Sequence, residues 1–230
     1  MSIWTRIADA LSALANGEGL SVVFDRLRAS PTGERSVAFT IAVIALGAKM
    51  AKADGQVTRD EVSAFRRIFA IPQGEEANAA RVFNLARQDV AGFHTYAAKI
   101  RAIFRAQDRD LLIDLMEGLF HISLADGHYH DGEDIFLAEV ARIFGLDDRC
   151  FNQLRARFVE GAPRDPYDVL GVAHDAPIDT VRAAWRDAIK ASHPDVMIAR
   201  GVPPEALKLA ESRIQAVNQA WDEISAKRAA

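Results

Sequence analysis

Two helical patterns flank a proline near the carboxyl end of the chain, and they constrain its fold more than any other feature. Residues 179–192 carry apolar side chains on one side of a helix and cations at intervals of four on the other. A later segment repeats apolar residues at steps of three and four, which predicts a second helix packed antiparallel on the first. The inner positions are Val181, Trp185, Ala188, Ile189 and Ser192, then Leu207, Ala210, Ile214, Val217, Trp221 and Ile224, and the cations are Arg182, Arg186 and Lys190.

Proline also predicts how these two helices are joined. Pro194 has no amide proton and disfavours helical geometry in the preceding residue, so we expect the first helix to end at about His193. Pro203-Pro204-Glu205 places proline near the start of the next helix and an acid in its first turn. The triplet His193-Pro194-Asp195, called the tip below, is therefore predicted to lie at the end of a helical hairpin.

The rest of the chain is also predicted to be helical. From Glu34 onward, helical patterns continue for more than a hundred residues without the alternation typical of strands, so we predict an all-α protein. Turn clusters at Ser30-Pro31-Thr32-Gly33 and around Pro163 mark two boundaries. We predict an N-terminal helical extension over 1–30, a multi-helix domain over 31–162 and the small hairpin domain over 163–230.

The middle domain contains an acidic turn twice. Ala53-Asp54-Gly55 and Ala125-Asp126-Gly127 each follow a long apolar helix, and each is followed by a glutamate seven residues after the aspartate. One interpretation is structural: the glycine ends one helix, and Thr58 or Asp131 caps the next one.

The other interpretation of the two turns is a divalent cation site. Oxygen ligands would come from Asp54, Glu61, Asp126 and Glu133. It would not be an EF-hand, because Phe65 and Leu137 stand where the calcium loop needs its last glutamate. His128 and His130, beside Asp131, Glu133 and Asp134, leave open a transition-metal cluster as well.

Four separated blocks at the carboxyl end resemble the J-domain of DnaJ-type co-chaperones, in the right order and spacing. The blocks are Asp165-Pro166-Tyr167-Asp168-Val169-Leu170-Gly171-Val172, Val181-Arg182-Ala183-Ala184-Trp185-Arg186, His193-Pro194-Asp195 and Val217-Asn218-Gln219-Ala220-Trp221. The duplicated acidic turns are similar to those of TerB-like helical domains. Together the two parts resemble the DjlA-like branch of the family, in which a J-domain follows a TerB-like domain.

The resemblance implies a function for the hairpin. J-domains dock on the ATPase of a DnaK-class chaperone and stimulate its ATP hydrolysis. By that resemblance His193, Pro194 and Asp195 would contact the chaperone, and Arg182, Arg186 and Lys190 would meet an acidic surface on it. The TerB-like domain would supply localisation, partner or cation binding. The alternative is a helical stress-response or envelope-associated scaffold whose J-like tail is degenerate.

Composition excludes several other classes of function. A formal charge of −4 argues against a general nucleic-acid binder, which carries a basic excess. The sequence contains no phosphate-cradling, nucleophile-elbow or zinc-protease motif, so we expect neither an enzyme nor an organic cofactor. The single cysteine, Cys150, allows no internal disulfide and is expected to be a small, partly buried residue.

The amino terminus leaves two interpretations open. An apolar helical stripe of Ile3, Trp4, Ile7, Leu11 and Leu14 either packs on the following domain or lies on a membrane surface. No uninterrupted apolar run reaches the roughly 18 residues that a spanning helix needs. We therefore predict a cytoplasmic protein, with any membrane contact limited to the periphery of the inner face.

Overall fold

The fold is described from a computed structural model of the chain. It covers residues 2–12, 14, 18–29, 34–53, 65–66, 68–88, 92–104, 106–125, 127–159 and 165–229. Within those residues the chain is helical and contains no β-strand, which confirms the predicted all-α class.

The helices of the larger, amino-terminal part lead to a shorter set at the carboxyl end. The first set is α1 (Ile3–Ser12), α2 (Leu20–Ala29), α3 (Arg35–Ala53), α4 (Glu76–Gln88), α5 (Phe93–Ile103), α6 (Arg109–Ser123), α7 (Asp131–Phe144) and α8 (Asp148–Phe158). The second is α9 (Pro166–Leu170), α10 (Ile178–Ala191), α11 (Pro194–Arg200) and α12 (Lys208–Ala229). Short 3₁₀ turns, Ala106–Asp108 and Pro204–Ala206, precede α6 and α12.

One large apolar cluster, the main core, is built around α3. This helix is apolar on nearly all sides, and its residues from Val37 to Leu46 are buried on every face, as expected for a central helix. Helix α6 packs against it so closely that Gly118 faces Val43 where a larger side chain would be crowded.

The two amino-terminal helices belong to this main core. Ile3, Trp4, Ile7 and Leu11 are buried, and the Trp4 indole donates a hydrogen bond to the Ala70 carbonyl at 3.3 Å. The packing interpretation of this stripe is therefore confirmed, and the membrane-anchor interpretation is wrong, because it requires the same face to be exposed. None of the described helices combines the length and apolarity needed to cross a membrane.

A second cluster, the hairpin core, joins α9 and α10 to the end of α12. Its buried members include Val169, Val181, Val217, Ala220 and Ile224. Outside it, the Trp185 and Trp221 rings stack with centroids 5.2 Å apart, and the Trp185 indole donates to the Asn218 side chain at 2.9 Å. The predicted antiparallel hairpin is thus confirmed.

The beginning of α12 turns a different face inward from the one predicted. Leu209, Ala210 and Arg213 are buried, whereas Leu207 and Ile214 are only half-buried. The prediction was wrong at Leu207 and Ile214 because this half of the helix packs on α6 and the main core rather than on α10. Helix α12 therefore contributes to both cores.

The second acidic turn has a structural role. Gly127 adopts a left-handed backbone with φ of 85°, and the Glu133 carboxylate accepts a hydrogen bond from the His130 amide at 2.9 Å. The helix start is capped at His130 rather than at the predicted Asp131, because α7 already begins at Asp131. The first turn, with Thr58 and Glu61, lies outside the described residues.

The predicted domain limits fall at chain segments 30–33 and 160–164, which also lie outside the described residues. The division into 1–30, 31–162 and 163–230 stays a prediction.

Candidate functional site

The tip is formed by the end of one helix and the start of another. Helix α10 ends at Ala191, and His193 precedes α11, with Pro194 in its first turn, where proline fits best. The His193 ring nitrogen Nδ1 accepts a hydrogen bond from the Asp195 amide at 3.2 Å, so the imidazole caps α11. Part of the segment between the hairpin helices is therefore helical.

Both functional groups of the tip point outward. The side chains of His193 and Asp195 are 60% and 88% exposed, and His193 Nδ1 lies 3.8 Å from Asp195 Oδ2. An imidazole and a carboxylate are thus both exposed to solvent at the bend between α10 and α11. Val196 and Ile198 add exposed apolar surface on the same short helix.

The predicted cationic row lies along the outer side of α10. Arg186 and Lys190 are exposed. Arg182 is engaged within the hairpin, because it donates to Asp179 at 3.1 Å and lies 5.7 Å from the centre of the Trp221 ring. The three cations share one face with the tip at its end, as the spacing predicted.

Beneath the tip lies a cluster of charges that sequence analysis missed. We call it the buried ion cluster: Asp114 and Glu117 of α6 with Arg157, Arg200 and Arg213. Arg200 donates to Asp114 through Nε and, at 2.7 Å, through Nη2. Its remaining Nη1 donates to the Ala191 carbonyl at 2.9 Å, at the end of α10.

The other two arginines complete the cluster. Arg213 donates to Asp114 through Nη2, and to Glu117 through Nη2 at 2.6 Å and Nε at 2.8 Å. Arg157 reaches Glu117 at 3.0 Å. Both acids are fully buried, and each has more than one arginine donor.

Burial and charge act in opposite directions on these groups. Burial raises the pKa of the Asp114 carboxyl, an effect that Arg213 and Arg200 oppose. Burial alone lowers the pKa of Arg213, but Glu117 and Asp114 together outweigh it, so that the Arg213 pKa is raised. For Arg157 the effect of burial exceeds the effect of the Glu117 charge, so the Arg157 pKa is lowered.

A sequence signal for this cluster existed. Asp114 and Glu117 interrupt an otherwise apolar stretch between Leu111 and Phe120, and acids on a buried face require partners. Sequence alone could not identify those partners, because Arg200 and Arg213 follow almost a hundred residues later.

Comparison with known proteins supports the same assignment for both parts of the chain. Residues 40–156 match the family model described as "Tellurite resistance protein TerB". "Co-chaperone protein DjlA" of Photobacterium profundum is 30% identical over 217 residues, which covers 83% of this chain and 78% of the relative. The chain belongs to the DjlA co-chaperone family.

More distant relatives carry the same printed name. The protein of Aliivibrio fischeri is 27% identical, covering 85% of this chain and 80% of the relative. That of Escherichia coli (strain K12) is 21% identical and covers 99% of both. No solved structure gives a significant match. Membership of the DjlA family supports a co-chaperone role for this chain.

The predicted cation site of this DjlA-family chain stays a prediction. Asp54, Glu61 and Asp126 lie outside the described residues, and the Glu133 carboxylate is used at the start of α7. His128 and His130 hold their rings 6.3 Å apart in an exposed turn. Among the described residues, no three metal-binding side chains form a group that could hold an ion.

Desolvation by burial outweighs the neighbouring Arg109 and Arg157 in its effect on the pKa of the Cys150 thiol. Cys150 is buried in the main core, and burial raises the pKa of its thiol, which disfavours the nucleophilic thiolate. Cys150 was expected to be partly buried, and the structure buries it more completely, with 7% of its surface exposed.

Proposed function

We propose that this chain is a co-chaperone whose hairpin docks on a DnaK-class chaperone and stimulates its ATP hydrolysis. The observation that carries the proposal is the exposure of His193 and Asp195 at the tip, in contrast to the buried ion cluster beneath them. Asp195 would pair with a basic group of the chaperone, and His193 would hold the bend through its hydrogen bond to the Asp195 amide. Pro194 would keep their geometry.

The cationic row of Arg182, Arg186 and Lys190 would speed the association with the chaperone more than it would strengthen the complex. Exposed charges at the rim of an interface steer association and are screened by salt, whereas a charge desolvated in the complex contributes much more to affinity. Loss of one rim cation should cost about 1 kcal/mol or less. Arg186 and Lys190 are better probes of steering than Arg182, because Arg182 also holds Asp179 and covers Trp221.

The test is a steady-state ATPase assay of the cognate DnaK-class chaperone with this protein. We expect Asp195→Asn to lose roughly 2–5 kcal/mol of binding, since a charge desolvated in the complex would be missing. Both Asp195→Asn and His193→Gln should abolish stimulation while leaving the helical circular dichroism unchanged. The matched control is Asp175→Asn, an exposed aspartate at the opposite end of the hairpin, which should stimulate like the wild type.

Full stimulation by a well-folded His193→Gln protein would defeat this assignment. It would favour the alternative, a helical scaffold with a degenerate J-like tail.

The TerB-like domain would determine where the co-chaperone acts, in the cytoplasm, and which partner it meets. Cation binding is a further proposed role of the same domain. Calorimetric titration with calcium or zinc tests that role, with Asp54→Asn and Asp126→Asn as the variants that should lose any heat of binding.

A further inference from the structure

We propose that Asp114 of α6 is a positioning residue for the tip. Acting through Arg200, it would fix the His193–Asp195 bend in the orientation in which the chaperone receives it. The proposal rests on the proposed function, and it places a residue of the TerB-like domain in the docking activity of the hairpin.

The Arg200 guanidinium contacts both Asp114 and the end of α10. Two of its nitrogens bind the Asp114 carboxylate, and the third donates to the Ala191 carbonyl at 2.9 Å. Ala191 precedes the tip by two residues, and Arg200 ends the short helix that follows it. One guanidinium therefore connects both sides of the tip to α6. A planar, bidentate arginine contact fixes direction as well as distance.

Asp114 is itself held in place by the other members of the buried ion cluster. Asp114 also accepts from Arg213, which in turn binds Glu117. The side chains of Asp114 and Glu117 are fully buried and that of Arg213 is 7% exposed, so water does not compete for these hydrogen bonds. Rotation of Asp114 would leave an uncompensated buried charge, which disfavours any other orientation of the cluster.

The segment that follows the tip is also attached to the main core by apolar contacts. Met197 and Val202, on either side of Arg200, are buried in the main core. Gly201 lies against Arg35 and Leu111, and the Glu205 carbonyl accepts from the Ala70 amide at 2.7 Å. The inner face of this segment thus packs against the rest of the protein. Its outer face, with His193 and Asp195, stays exposed for a partner.

The functional consequence is preorganisation. A partner that binds one conformation of the tip has an apparent affinity reduced by the fraction of molecules in that conformation. Without Asp114 the tip would sample other orientations, so more co-chaperone would be needed for the same effect. Once bound, the chaperone would still meet His193 and Asp195, so maximal stimulation would be retained.

The experiment uses the full chain with Asp114→Asn and, separately, Arg200→Gln. Two quantities are measured in the chaperone ATPase assay: the co-chaperone concentration for half-maximal stimulation and the maximal rate. Amide hydrogen exchange of residues 195–202 reports on the tip itself. Asp110→Asn, an exposed aspartate on the same helix, is the matched control.

We expect both variants to lose exchange protection at 195–202 and to raise the half-maximal concentration about tenfold, corresponding to a tenfold fall in the competent fraction. The maximal rate should stay near that of the wild type, unlike that of His193→Gln.

Should Asp114→Asn fail to fold, Arg200→Gln decides, because Arg200 lies at the edge of the cluster. Unchanged protection, or lost protection with an unchanged half-maximal concentration, overturns the positioning role alone. Absence of stimulation by the wild type overturns the proposed function and this inference with it.

Discussion

Glu117 shows how one residue can connect parts of the chain that are distant in sequence. Its carboxylate accepts from Arg213 on α12 and from Arg157 on α8, while its own helix α6 packs on α3. Arg157 also donates to the Val169 carbonyl at 3.3 Å, which extends the connection to α9. Through Arg157 and Arg213, this buried acid therefore connects α6 to α8, α9 and α12.

Glu117→Gln should lower the free energy of unfolding by about 3 kcal/mol or more. The amide keeps the shape of the side chain, but it leaves Arg157 without its counter-charge and Arg213 with Asp114 as its one remaining acid in the cluster. The measurement is the midpoint of urea unfolding followed by far-ultraviolet circular dichroism. Glu211→Gln, at an exposed position of α12, is the control and should change stability by less than about 0.5 kcal/mol. Equal midpoints for the two variants would show that the buried ion cluster contributes little to stability.

For single residues, the sequence predicted the exposed cations of α10 better than the buried residues of α12. The four-residue spacing of Arg182, Arg186 and Lys190 is a local property of one helix, so it could be read directly. Choosing Ile214 rather than Arg213 as the buried residue was reasonable for a hairpin alone. It was wrong because one residue is a turn of about 100° on a helix, and only tertiary packing shows which face α12 offers to α6.

Among the elements, α11 depends on its two ends. Pro194 begins the helix with a fixed backbone angle, and Gly201 ends it in a left-handed conformation with φ of 120°. The sequence predicted the proline break but not the short helix, because seven residues are too few for a periodic pattern to be recognised. Helix α11 exists because Met197 and Arg200 attach it to the rest of the molecule.

Gly201→Ala should destabilise the protein by about 2 kcal/mol or more. A β-carbon at this position would lie 2.7 Å from the Arg35 β-carbon and 3.2 Å from Leu111, and its backbone angle is one that alanine rarely adopts. Chemical unfolding gives the measurement, and Gly132→Ala is the control, because a β-carbon there meets no atom within 4 Å. A Gly201→Ala protein as stable as Gly132→Ala would mean that the approach of α11 to α3 is loose in solution.

On the scale of the whole molecule, one helix is shared by the two cores. Turn residues near 163–166 predict a domain boundary, and that boundary stays a prediction. Here α12 runs unbroken for 22 residues, with Leu209 and Ala210 in the main core and Val217 and Ile224 in the hairpin core. The sequence could not reveal this sharing, because both cores draw on the same apolar repeat.

A shared helix and a shared ion cluster predict that the two cores unfold together. Trp4→Phe removes the indole in the main core and leaves Trp185 and Trp221. Tryptophan fluorescence then reports on the hairpin alone. Far-ultraviolet circular dichroism of the same protein is dominated by helices α1–α8, which together contain most of the helical residues of the described chain. If unfolding is cooperative, the two signals should follow one transition in urea with the same midpoint. A fluorescence transition at clearly lower urea would show that the hairpin melts first, and the buried contacts between Arg213 and α6 would then be too weak to couple the two cores.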